Sequence, residues 1–112
     1  MMKRVNGIKQ ISCSALKQIL NVDKKTDFVV IDVRPANLYN ESHIPKAINL
    51  QYNDILDNPA KASNELEHLN SKQIAYVICS KGISSQAACE VLKDTSNLNF
   101  VNVVGGMNEF SS

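Results

Sequence analysis

IAYVICSKGISSQAACEVL, residues 74–92, contains a strand, a loop and a helix in succession. Ile74 to Cys79 is an apolar run of strand length, and it ends on a cysteine. Ser80 to Ser85 is polar and holds Gly82, a signal for a loop. Ala87, Ala88, Val91 and Leu92 then recur at one-face helical spacing, with Gln86, Glu90, Lys93 and Asp94 on the opposite side. A strand apolar on both faces that leads into an amphipathic helix is half of a βαβ unit, from which parallel sheets are built. The pattern repeats outward in both directions. FVVID, residues 28–32, is a second β-branched run, and Ile8–Ile11, Ala47–Leu50 and Phe100–Val104 supply shorter strands. Ala15, Leu16, Ile19 and Leu20 mark another helix, with Ser12 or Ser14 placed to cap it. Between Tyr52 and Leu69, Asn58-Pro59 divides the chain into a short helix or turn and a helix from Ala60 to Leu69. The expected fold is therefore α/β: a central parallel sheet of about five strands with helices on both faces, in one domain over residues 1–112.

The 112 residues are 44% hydrophobic and 21% charged with a net charge of +1, the balance of a globular domain. A near-neutral chain lacks the single-signed field that nucleic acid or an anionic membrane requires, so neither partner is expected. The amino terminus has no apolar core of signal-peptide length and no stretch approaches a membrane span, so a cytoplasmic setting is the default expectation. Three cysteines, Cys13, Cys79 and Cys89, and two widely spaced histidines, His43 and His68, form neither a disulfide framework nor a zinc pattern. No metal and no cofactor are expected.

Parallel sheets bind ligands where strands end and loops lead into helices. One strand ends on Asp32, followed by Val33, Arg34 and Pro35 in a tight corner. Another ends on Cys79, where the loop Ser80-Lys81-Gly82-Ile83-Ser84-Ser85 aims backbone N–H groups and the start of a helix, at Ser84 or Ser85, toward the sulfur. This is an anion cradle. A thiol with a pKa of about 8.5 is roughly 3% thiolate at pH 7, and a two-unit reduction requires about 2.7 kcal/mol. A helix terminus offers about 0.3–1 kcal/mol, up to ~2, and each charge-assisted hydrogen bond about 1.5–3, so such a loop can supply that shift. Lys81 adds a positive charge. A cysteine ending an apolar strand also serves as a small buried hydrophobe, and only the loop after Cys79 argues for reactivity. Cys13, beside a helix start, reads as packing or surface. Cys89 falls at the edge of its helix, off the apolar stripe and about a turn past the loop, where a role as resolving thiol is the weaker reading. His68 reads as solvated, Asp32 and Arg34 as a brace for the corner, and His43 as structural.

Three segments carry a family resemblance. IDVRPANLYNESHIPKAINL, residues 31–50, resembles the first signature of rhodanese-like sulfurtransferase domains, in which Asp-x-Arg precedes a Tyr or Phe and then His-Ile-Pro, Ala and Asn. VICSKGISSQAACEVL, residues 77–92, is similar to the family's strand, cysteine loop and helix, and VNVVGGMNEF, residues 101–110, to its closing strand and Gly-Gly turn. The resemblance implies a loop cysteine that accepts a sulfane sulfur as a persulfide and passes it on. Under it Cys79 is the nucleophile, Ser80 to Ser85 the binding loop, and Asp32, Arg34 and His43 supporting residues. The implied partners are a sulfane-sulfur donor, either a small molecule or a cysteine-desulfurase persulfide, and a thiol or sulfur-carrier-protein acceptor.

This chain departs from the pattern in places. Thiosulfate-using members commonly carry Arg where Ser84 stands, which disfavours thiosulfate as donor. Ser42 and Lys46 replace usual glycines, and Phe110 replaces the closing Trp. Gly-x-x-Ser-Gln and Val-Val-Gly-Gly-Met also resemble the carboxyl-terminal rhodanese-like domain of adenylyltransferase-sulfurtransferases, so the chain is expected to be such a domain or a free-standing relative. Two other functions compete. A Cys-x5-Arg phosphatase needs a guanidinium where Ser85 stands, and no Arg follows Arg34. A rhodanese-like module kept for binding or redox sensing, with Cys79 idle, is the remaining alternative.

Overall fold

The computed structural model describes residues 3–22, 28–69 and 73–112. In chain order the elements are β1 (Arg4–Val5), β2 (Ile8–Ile11), α1 (Cys13–Asn21), β3 (Phe28–Asp32), α2 (Ala36–Glu41), β4 (Ile48–Asn49), α3 (Tyr52–Asp57), α4 (Pro59–Asn64), β5 (Ile74–Ile78), α5 (Ile83–Leu92), β6 (Asn99–Val103) and α6 (Gly106–Phe110). The strands form one sheet in the order β1-β2-β6-β5-β3-β4, parallel throughout except for β1 against β2.

The expected α/β architecture is present, with six strands instead of about five. The sixth, β1, is too short to show a periodicity. It exists because Asn6 and Gly7, at φ 49° and 80°, close a tight hairpin onto β2. β5 lies at the centre, in register with β3 through Val30↔Tyr76 and with β6 through Tyr76↔Val101. Alternation along β5 feeds two cores. Ala75 and Val77 pack with Ile55, Ala62, Ala88 and Leu92, on the side of α3, α4 and α5. Tyr76 and Ile78 pack with Cys13, Leu16, Val103 and Met107, on the side of α1 and α6. Leu16, Ile55, Ile78 and Leu92 are fully buried, and each such side chain stabilises the fold by about 1.5–3 kcal/mol against exposure.

Several boundaries differ from the sequence reading. Ser12, not Ser14, caps α1, its hydroxyl accepting from the Ala15 N–H at 3.1 Å. The second helix after Pro59 stops at Asn64 and does not reach Leu69. Beyond it the amides of Leu66, Glu67 and Leu69 bond three residues back, to Ser63, Asn64 and Leu66, which makes turns and not an α-helix. Leu66 is still buried, so its apolar spacing reported burial without continued helix. α5 begins at Ile83, ahead of Ser84, because Gly82 at φ 91° sets its start.

The buried face of α5 is also turned from the expected stripe. Ser85, Ala88, Cys89 and Leu92 point inward, while Ala87 and Val91 are half-buried. Cys89 therefore sits in the core and not at the helix edge. A cysteine packs as a small hydrophobe, and the turned helix brings Ser85 against the end of β5.

Candidate active site

β3 and β5 end side by side, and each delivers a reactive group. After β3 the chain turns through Val33 and Arg34, and Pro35 starts α2. The Arg34 guanidinium folds back onto Asp32, with Nε donating at 3.0 and 3.1 Å and Nη2 at 2.8 Å, and Nη2 also donates to the Ser42 carbonyl at 2.7 Å. Asn49 closes the corner from β4, donating to the carbonyls of Asp32 and Arg34. The pair braces the corner. His43 stands outside it. Its ring is exposed and stacks on Tyr39 at 3.8 Å, with Nδ1 2.8 Å from the Tyr39 carbonyl, so it steadies the end of α2 and does not line the cleft.

Cys79 follows β5 directly, and its Sγ is the focus of the loop. The Gly82 N–H donates to it at 3.0 Å and the Ser85 N–H at 3.2 Å. The thiol in turn donates to Ser85 Oγ at 3.2 Å. Backbone conformation makes the first of these contacts possible. Gly82 adopts φ 91°, and a Cβ there would stand 2.9 Å from the Gly105 amide nitrogen, so the position requires glycine. Gly106 requires it more strongly, because a Cβ would lie 2.4 Å from the Cys79 carbonyl oxygen. Through this close approach the start of α6 holds the loop: the Met107 N–H donates to that carbonyl at 2.7 Å and the Asn108 N–H to Ser80 O at 2.9 Å.

Cys79 lines a cleft of about 410 Å³ between the two strand ends. Val33, Arg34 and Pro35 wall one side, Gln51, Tyr52 and Asn53 a second, and Ser80, Lys81, Ile83 and Ser84 a third. Of the expected loop residues, Gly82 and Ser85 bond the sulfur while Ser80, Lys81, Ile83 and Ser84 shape its mouth. Cys79 itself is only 4% exposed, so a reagent must enter the cleft to meet it. Arg34 commits Nε and Nη2 to Asp32 and Ser42, so the cleft it lines receives no complete guanidinium fork, and Lys81 is an exposed cation at the rim.

The other two thiols are shielded. Burial, with the charges of Glu90 and Cys79, pushes Cys89 up from 9.0 to about 12, so it stays a neutral thiol in the core. Burial and Glu109 push Cys13 up as well, and its Sγ donates to the carbonyls of Val104 and Gly106.

The sequence reading missed Asn102 and the Gln51–Asn53 wall. Asn102 is buried on β6 and accepts from the Ser85 hydroxyl at 2.5 Å. Its one signal was a lone amide interrupting the apolar run Phe100–Val104. The departures from the family pattern also have local outcomes. Lys46 takes φ 69°, the left-handed conformation that a glycine enters freely, whereas Ser42 at φ −168° is ordinary extended backbone. Phe110 is partly buried and carries Lys17 Nζ 5.0 Å from its ring centroid.

Comparison with known proteins agrees with this fold. A family model described as rhodanese-like domain matches residues 12–112. The chain is 37% identical over 89 residues to the adenylyltransferase and sulfurtransferase UBA4 of Kluyveromyces lactis, which covers 77% of this chain and 20% of that protein. It is 29% identical over 109 residues to the putative sulfur carrier protein YrkF of Bacillus subtilis, covering 97% of this chain and 54% of that one. The chain thus spans a fifth to about half the length of these relatives. Among solved structures, a rhodanese-like domain protein of Staphylococcus aureus superimposes with a TM-score of 0.73 at 29% identity, covering 90% of this chain and 89% of that chain.

Proposed function

The chain belongs to the rhodanese-like domain family, and on that footing we propose that it is a sulfurtransferase whose Cys79 carries sulfane sulfur between a donor and an acceptor. The observation that carries the proposal is the convergence of the Gly82 and Ser85 N–H groups on Sγ at the floor of an enterable cleft. Two fixed donors at 3.0 and 3.2 Å, near the start of α5, favour negative charge on sulfur.

The reaction needs that charge twice. In loading, the Cys79 thiolate attacks the outer sulfur of a donor persulfide. An S–S bond forms at Sγ, the donor's own S–S bond breaks, and the donor thiolate leaves with the electron pair. In unloading, an acceptor thiolate attacks the outer sulfur and Cys79 is released as thiolate. No net oxidant or reductant is required. Ser80, Lys81, Ile83 and Ser84 at the cleft mouth contact the donor and acceptor, while Asp32, Arg34 and His43 hold the surrounding backbone. Serine at position 84, in place of an arginine, supports a persulfide donor over thiosulfate, whose sulfonate needs a cationic grip. The acceptor is a thiol or a sulfur-carrier protein, a reading supported by the names of UBA4 and YrkF. A cytoplasmic setting, where thiols stay reduced, suits this chemistry.

The 4% exposure of Cys79 favours one second reading, a binding or redox-sensing module in which the thiol does not turn over. Turnover separates the two. With a low-molecular-weight persulfide as donor and cyanide as acceptor, thiocyanate should accumulate catalytically with the native protein and fall to the uncatalysed rate for Cys79→Ala. Equal rates for both proteins would overturn the sulfurtransferase reading.

A further inference from the structure

Behind the cysteine runs an unbroken chain of side-chain amides whose direction is fixed at every link. It begins at the Glu90 carboxylate on α5, which hydrogen bonds from Gln86 and Asn6 hold below the usual carboxylate range, so at neutral pH it can only accept. Gln86 Nε2 donates to Glu90 at 2.8 Å and to the Val5 carbonyl at 3.0 Å, which turns its Oε1 toward Gln10. Gln10 Nε2 donates to that oxygen at 2.6 Å and to the Ile8 carbonyl at 3.0 Å, leaving its Oε1 for Asn102. Asn102 Nδ2 donates to Gln10 Oε1 at 2.9 Å and to the Gly82 carbonyl at 3.3 Å. Each amide NH2 is thus pinned by a backbone carbonyl, a pure acceptor, and no amide can flip without losing it. At the end of the chain only an acceptor, Asn102 Oδ1, faces Ser85. The Ser85 hydroxyl gives its single proton to Asn102 at 2.5 Å and turns a lone pair to the Cys79 thiol at 3.2 Å.

We propose that Asn102 is a positioning residue for Cys79: by taking the Ser85 proton it makes that hydroxyl an acceptor for the thiol and withholds it as a donor to the thiolate. Ser85 and Asn102 are both buried, at 0% and 3% exposure, so no water competes for the proton. When Cys79 ionises, the hydroxyl either keeps a lone pair against the sulfur or swings round and strands Asn102 Oδ1 without its donor. Both outcomes oppose ionisation. The two sides of the loop therefore act in opposite senses, the Gly82 and Ser85 N–H groups favouring the thiolate and the Asn102–Ser85 pair restraining it.

The proposal rests on Cys79 being the reactive sulfur of the site, and it is tested without any sulfur donor. The pH midpoint of Cys79 alkylation, followed by peptide-resolved mass spectrometry, is compared among the native protein, Ser85→Ala, Asn102→Leu and the double variant. The ionisable groups around the sulfur, Arg34 with Asp32, Tyr52, Lys81, Cys89 and the more distant Glu90, are present in all four and cancel in the differences. Removing the locked hydroxyl in Ser85→Ala should lower the midpoint. Freeing it in Asn102→Leu should lower the midpoint by about one unit, a tenfold gain in thiolate below it. In the Ser85→Ala background Asn102→Leu should add no further shift, because its effect passes through that hydroxyl. A midpoint raised or unmoved by Ser85→Ala would overturn the proposal, as would an Asn102→Leu shift that persists without the hydroxyl. Should Asn102→Leu not fold, the sign of the Ser85→Ala shift decides alone. Failure of this test leaves the persulfide reading standing, since that reading is judged by sulfur turnover.

Discussion

Arg34 and Asp32, two residues apart in the chain, form a bidentate ion pair between the ends of β3 and α2, with 8% and 0% of their side chains exposed. The pair has further partners, the Arg34 N–H donating to Asp32 Oδ1 at 3.0 Å and the guanidinium Nη2 donating to the Ser42 carbonyl. Truncation of one partner leaves the other charge buried alone. Arg34→Ala should therefore lose about 3–5 kcal/mol of stability in urea unfolding. The double variant Asp32→Asn with Arg34→Met should lose less than Arg34→Ala. If Arg34→Ala cost under about 1 kcal/mol, the pair would not be the brace of this corner.

Because Nε and Nη2 of that guanidinium are committed, the cleft offers a sulfonate no complete guanidinium fork, only single donors and Lys81. Ser84 lines the mouth beside Cys79, and an arginine placed there reaches the same space. Ser84→Arg should raise kcat/KM for thiosulfate by about tenfold to a hundredfold, the worth of one charge-assisted hydrogen bond of about 1.5–3 kcal/mol. The same variant should leave a neutral persulfide donor within a fewfold of the native rate. Steady-state kinetics with both donors checks this, and an unchanged preference would mean that the missing arginine does not set donor choice.

Cys89 gives the fold a pH dependence of definite sign. Its folded value of about 12 lies above the ordinary 9.0, so the thiol is neutral in both states at lower pH and its burial contributes fully there. As the pH rises from 9 toward 12 the unfolded chain ionises first and stability falls. Cys89→Ala should be less stable than the native protein near neutrality. The gap should close by up to about 2 kcal/mol at about pH 10.5, at 1.36 kcal/mol for each unit. Cys13 and Tyr76, also pushed up by burial, are common to both proteins and cancel. A gap independent of pH in chemical denaturation would contradict the buried-thiol assignment.

Much of this was legible in the chain because the informative residues carry local rules. Phe28–Asp32 and Ile74–Cys79 read as buried strands since both faces are covered, and they form β3 and β5, adjacent interior strands of the sheet, the second ending one residue earlier at Ile78. Cys79 stood out because a glycine-containing loop and a helix follow it at once. What stayed hidden depends on tertiary contact. The turned face of α5 follows from the meeting of Ser85 with Cys79 and Asn102, which no helical periodicity encodes. The short β1 is specified by its partner strand. Asn102 looks like an isolated polar interruption until Gln10, 92 positions away, is seen to accept its proton. His43 read as a structural, supporting residue, and which group its ring meets, the Tyr39 ring and solvent, depends on the fold of α2.

The central claim is that Cys79, and neither Cys13 nor Cys89, carries transferable sulfur. It is tested most directly by loading the protein with a low-molecular-weight persulfide and mapping the added mass by peptide-resolved mass spectrometry. One extra sulfur should appear on the peptide that contains Cys79 and disappear when an acceptor thiol is added, with the buried Cys13 and Cys89 unmodified. Sulfur on Cys13 or Cys89 instead, or none on Cys79 with any persulfide donor, would contradict the account.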